Sequence, residues 1–149
     1  MKANDLHVKG GNMTDTNNPS QQARLELSLF LLRLGVFVVM IAWTLDKVIN
    51  PDHAARVYES FYFIGGLSNT VMMIIGGIEI IIVLAFLVGL WKRYTYGFVM
   101  LVHGVSTFSS WEKYSTDINL LFFAAWPMLA ACVALYLLRD LDVKFTIGK

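Results

Sequence analysis

Residues 68–90 read SNTVMMIIGGIEIIIVLAFLVGL, and Glu79 is the one ionisable side chain among those 23 residues. About 20 apolar residues, rising about 1.5 Å each as a helix, cross the roughly 30 Å hydrocarbon layer of a bilayer. A charge at that depth costs roughly 3 kcal/mol even on lenient insertion scales, and such residues usually face a bundle interior and pair with one another. Glu79 is therefore the position to explain.

Three further runs have the same character. Leu25–Leu45 is interrupted by Glu26 near its edge and by Arg33, Tyr94–Ser110 holds His103, and Ile118–Leu138 is uncharged. The expected fold is all-α: an integral membrane four-helix bundle with a short interfacial helix between spans one and two. The chain has 149 residues, 56% of them hydrophobic, and a mean hydropathy of +0.58. Buried helices of a soluble domain are the alternative, but four such runs leave few polar faces to cover it. Trp43, Trp91, Tyr94 and Tyr136 stand at run ends, where aromatic belts form.

Outside the runs lie a polar segment, 1–24, expected to be a disordered tail, and a C-terminal tail, 139–149. The first apolar run begins only at Leu25, so the N-terminus does not have a secretory signal pattern. Lys and Arg set the orientation. The N-terminal tail, the Lys92-Arg93 turn and the C-terminal tail hold eight basic residues against Lys47, Arg56 and Lys113 in the other loops. Eight against three places both termini in the cytoplasm of a bacterial inner-membrane protein.

Asn50-Pro51-Asp52 is a helix start, with a cap residue, proline at the first helical position and an acid in the first turn. A helix over 51–63 is expected, ended by Gly65-Gly66 and lying along the outer interface or folded over the bundle. Gly76-Gly77, Gly97 and Gly104 allow close backbone approach. Trp126-Pro127 should kink or loosen the fourth helix.

Depth along the spans brings the three intramembrane ionisable residues together. Counted from the cytoplasmic boundary, Arg33 lies roughly 12 Å in, Glu79 roughly 16 Å and His103 roughly 13 Å. An Arg33–Glu79 ion pair with His103 beside it is the expectation. Arg33 would let Glu79 ionise, and His103 would exchange protons near neutral pH. Structural roles stay open: a pair that locks register, an arginine that snorkels to the headgroups, a histidine that bonds across helices. His103, Thr107 and Ser110, with Ser106 adjacent, form a stripe towards the outer face. Asp46, Lys47 and Asn69 end spans one and two there, and together they would line a polar cavity. The alternative is hydroxyls bonded to their own backbone carbonyls.

The net charge of +1, with no basic stripe, argues against nucleic acid as a partner. The single Cys132 precludes an internal disulfide or a Cys-x-x-Cys pair and reads as a small buried hydrophobe. His7 and His53 lie outside the spans, so no bis-histidine haem is expected, and no residue cluster has metal-ligand spacing.

Leu32-Arg33-Leu34, Asp46-Lys47 with Pro51 after it, and Gly76-Gly77-Ile78-Glu79 resemble the pattern of the DoxX family of small four-helix bacterial membrane proteins. The likeness covers about 25–138. Where that family often has glycine shortly before the lysine, this chain has Trp43-Thr44. The resemblance implies an inner-membrane subunit of a redox system, with a redox enzyme or other membrane subunit as partner and a quinone as cofactor. Arg33, Glu79 and His103 would form its reactive centre, His103 exchanging the proton that accompanies quinone reduction. Lys47, Thr107 and Ser110 would contact the cofactor. Two other classes stay open: a small proton-coupled transporter acting as a homo-oligomer, and a non-catalytic anchor or assembly factor.

Overall fold

A computed structural model describes residues 18–115 and 120–148. Among them all regular structure is helical: α1 Pro19–Ile49, α2 Pro51–Tyr62, α3 Asn69–Leu87, α4 Lys92–Ser109, α5 Trp111–Ser115, α6 Leu120–Phe123 and α7 Ala125–Leu137. The four longest pack in a ring, α1 against α3 and α7, and α4 against α3 and α7. Two helices, α1 and α3, are long and apolar enough to cross a membrane; α7 is apolar but 13 residues long.

α1 starts six residues before the expected span. Asn18 caps it, its side chain accepting from Ser20 N at 3.1 Å, and Pro19 occupies the first turn, where its missing N–H costs nothing. Residues 19–24 of the expected tail are therefore helix; residues 1–17 lie outside the described residues. α2 ends on Phe63, which takes the left-handed conformation (φ 58°), two residues before the expected Gly65-Gly66 stop. The fourth apolar run is divided between α6 and α7 at Ala124. Pro127 has no N–H for the carbonyl of Phe123 and its ring crowds that carbonyl, which is the expected loosening at its physical origin.

The buried seam of α1 is Leu29, Arg33, Val36, Met40 and Thr44; that of α3 is Met72, Gly76, Glu79, Val83 and Phe86. Spacings of three and four along both seams are those of helices packed nearly antiparallel. Gly76 is the point of closest approach: a Cβ there would stand 2.9 Å from Lys47 Cβ and 3.3 Å from the Thr44 carbonyl. Gly77 faces open space, so only one of the two adjacent glycines serves packing. Tyr96, Val99, Cys132 and Leu135 complete the core, and Cys132 is buried as its apolar setting predicts.

Polarity is reversed relative to a water-soluble bundle. Arg33, Asp142, Thr44, Thr107 and Glu79 are buried, whereas Ile74, Ile78 and Ile81 on α3 and Leu101, Val105 and Phe108 on α4 are exposed. Trp91 and Tyr94 are exposed at the start of α4, Trp43 is exposed six residues before the end of α1, and Tyr136 is half-buried under the Arg139 guanidinium.

After α7 the chain does not leave the body. Residues 139–148 hook back across the α3–α4 turn, where Ile147 N donates to Val88 O at 2.9 Å. Gly89, with φ +65°, brings the turn close enough that a Cβ on it would strike the Thr146 side chain. Residues 139–148 of the expected C-terminal tail are part of the packed fold.

Candidate functional site

The buried charged residues form two centres, one towards each end of the α1–α3 seam. Arg33 is level with the α3–α4 turn, since a Cβ on Gly89 would lie 3.3 Å from its Nη1. Glu79 is level with the Thr44–Lys47 turn of α1. Fourteen residues separate Arg33 from Lys47, about 21 Å of helix. The expected Arg33–Glu79 pair does not form. The register set by Gly76 against Thr44–Val48 carries Glu79 away from Arg33. In addition, helical side chains lean towards the N-terminus, which takes the guanidinium further towards the end where α1 begins.

Arg33 is fully buried and its partners come from the C-terminal hook. Nη1 donates to Asp142 Oδ2 at 2.9 Å and to Tyr96 Oη at 3.2 Å. Nη2 donates to the carbonyls of Lys144 at 2.7 Å and Phe145 at 3.4 Å. Tyr96 Oη donates to the same Asp142 Oδ2 at 2.8 Å, and Lys92 Nζ donates to the Asp142 carbonyl at 2.7 Å. Phe30 lies under the guanidinium, 5.5 Å from ring centroid to Cζ. This cluster ties α1, α4 and the hook together. Asp142 was not among the sequence candidates. Part of its signal was available: Leu141 to Ile147 alternates apolar and polar residues, although the segment turns at Lys144-Phe145 and does not run extended.

The second centre is Lys47 and Glu79, with Nζ 2.9 Å from Oε2. Thr44 Oγ1 donates to Met40 O at 2.7 Å and lies 3.5 Å from Glu79 Oε2. Lys47 Nζ is also 3.4 Å from Trp43 O. Tyr58 of α2, which packs on both α1 and α3, lies within electrostatic reach of Glu79. Burial, and after it the charge of Glu79, push its phenol up to about 12. α2 is held over α1 by a clasp in which His53 Nδ1 lies 2.6 Å from Asp46 Oδ2, and Asn50 Nδ2 donates to Asp46 Oδ1 at 3.2 Å. Asn50 thus spends its side chain on Asp46 instead of capping α2. The two ion pairs differ in access. The Lys47 and Glu79 side chains keep 12% and 9% exposure, while Arg33 and Asp142 keep none.

His103 sits on a different wall. Phe86 packs on Tyr96 with ring centroids 4.8 Å apart. Seven residues back along α3 and seven forward along α4 are Glu79 and His103. The imidazole nonetheless turns to α7, with Nε2 3.1 Å from Ala125 O. Among the described residues no hydrogen bond or ion pair joins it to Glu79 or Arg33. Thr107 Oγ1 donates to His103 O at 2.8 Å and Ser110 Oγ to Ser106 O at 3.0 Å. These hydroxyls are therefore bonded to their own helix, the alternative that membrane helices commonly show. Of the sequence candidates, Lys47 and Glu79 meet; Arg33, His103, Thr107 and Ser110 are held elsewhere.

No family model matches the chain, and no curated protein or solved structure matches it significantly.

Proposed function

We propose that the chain is a multi-pass protein of the bacterial inner membrane: a DoxX-like four-helix subunit of a redox system, with both termini in the cytoplasm. Its quinone-class site is the Lys47–Glu79 pair beneath α2. The membrane reading is supported by the reversed polarity. In water, the exposed Ile74, Ile78, Ile81, Leu101, Val105 and Phe108 would be part of an apolar surface that soluble monomers rarely carry. In lipid the same surface is the solvated one, and the buried charges are paired as hydrocarbon requires. α4, with 18 residues, is about 27 Å long, and α6 with α7 approaches that length despite the Pro127 break.

The observation that carries the site is the difference in access between the two ion pairs. A sealed pair whose Nη1, Nη2 and Oδ2 atoms all hold structural segments is a lock. A pair at the edge of exposure, with a neighbouring threonine and a phenol above it, can exchange partners with a ligand. Its donor set suits a quinone carbonyl: Lys47 Nζ donates to that oxygen, Glu79 holds the ammonium in place and passes a proton, and Tyr58 closes the top. A bound quinone would accept two electrons and two protons, the electrons coming from the partner redox enzyme. This chain contributes binding and a proton route.

Extraction in native lipid, followed by mass spectrometry of everything that co-purifies, tests the reading. A lipid quinone near one per chain is the expected result, lost in Lys47→Met and Glu79→Gln. A bare oligomer without quinone or redox partner contradicts it.

A further inference from the structure

The hook at 141–148 has its polarity arranged like the spans. Leu141, Val143, Phe145 and Ile147 are 50%, 51%, 71% and 74% exposed, whereas Asp142 is sealed and Lys144, Thr146 and Gly148 are partly covered. The segment is irregular, with a turn at Lys144-Phe145 and Phe145 at φ 53°, and on a soluble protein such an apolar row turns to the core. Here it turns outward, and the register is not free to slip. Asp142, the Lys144 carbonyl and the Phe145 carbonyl are all taken by Arg33, and Ile147 N is bonded to Val88 O. A shift of one residue would lose these bonds.

The same end of the molecule continues the row with exposed Trp91 and Tyr94, just past the turn on which the hook rests. It is also basic. Among the described residues Arg24, Lys92, Arg93, Arg139 and Lys144 stand there against Glu26 and Asp140, Arg33 and Asp142 cancelling each other. An outward apolar row beside aromatic residues, ringed by cations, has the composition of a surface that lies in the headgroup layer of an anionic leaflet.

We infer that the hook 141–147 is seated on anionic lipid: its apolar row lies among the upper acyl carbons, and Arg139, Lys144 and Arg93 meet headgroup phosphates. The lipid thereby presses Asp142 onto Arg33 and keeps the cytoplasmic end of the seam closed. This rests on the membrane reading above but not on the quinone site.

The test uses the full chain in a Cys132→Ala background, with an environment-sensitive fluorophore on single cysteines. These are Val143→Cys and Phe145→Cys (outward), Thr146→Cys (inward) and Ile81→Cys on the exposed face of α3. Vesicles of phosphatidylglycerol or of phosphatidylcholine carry brominated acyl chains as quenchers. Quenching of Ile81→Cys in both lipids establishes insertion. The inference then expects strong quenching at Val143→Cys and Phe145→Cys in phosphatidylglycerol, little at Thr146→Cys, and outward quenching lower by about fivefold in phosphatidylcholine, the equivalent of one basic side chain at an anionic surface. It is overturned if the outward positions escape quenching while Ile81→Cys does not, or if lipid charge makes no difference. An unquenched Ile81→Cys overturns the membrane reading itself.

Discussion

At the scale of single residues, the fold turns on where two cations find their anions. Arg33 takes Asp142, so Asp142→Ala leaves a guanidinium buried without its charge partner. The expected loss is about 3–5 kcal/mol, read as thermal unfolding in detergent. A loss below about 1 kcal/mol, the level of an exposed pair, would contradict the cluster. Gly76 is the second such residue. Gly76→Val drives a branched side chain into Lys47 and Val48 and should cost about 1–3 kcal/mol, whereas Gly77→Ala should be near neutral. Equal effects at the two glycines would show that α1 and α3 do not cross as described. The sequence named Arg33, Lys47, Glu79 and His103 by their cost in hydrocarbon, which is a local property. It could not pair them, because pairing depends on register. Depth counted from the edges of apolar runs misjudges register once α1 is extended by the Asn18-Pro19 start.

At the scale of elements, periodicity and caps were legible and chain reversals were not. The four apolar runs and the Asn50-Pro51 start correspond to α1, α3, α4, the α6–α7 pair and α2. The hook was missed because an irregular segment of a few residues has no helical period to announce it. Its anchoring also depends on Gly89 and Val88, far away in sequence. The placement of α2 over the Lys47–Glu79 pair makes a prediction at this scale. Tyr58 is raised from the ordinary 10.0 to about 12 by burial and by Glu79. A tyrosinate absorbance titration, wild type minus Tyr58→Phe, should show one phenol ionising near 12. The sign follows from linkage: the folded state keeps this phenol neutral, so its contribution to stability is complete below pH 10.0 and is lost as pH rises towards 12. A Tyr58 phenol titrating at 10.0 would mean that α2 does not cover the pair.

At the scale of the whole molecule, an apolar exterior surrounds a seam that is polar at both ends, one end closed by the hook and the other roofed by α2. On the proposal made above, the closed end serves stability and the roofed end binds the ligand, and these roles can be separated. Titrating a short-chain quinone into the protein in lipid nanodiscs, with wild type, Lys47→Met and Tyr96→Phe side by side, tests that assignment most directly. Losing a hydrogen bond from a charged donor in a buried site should weaken binding in Lys47→Met by about tenfold or more. Tyr96→Phe, at the Arg33 end, should lower thermal stability and leave the affinity unchanged. Binding that survives Lys47→Met but fails in Tyr96→Phe would contradict the account and move the site to the other end of the seam.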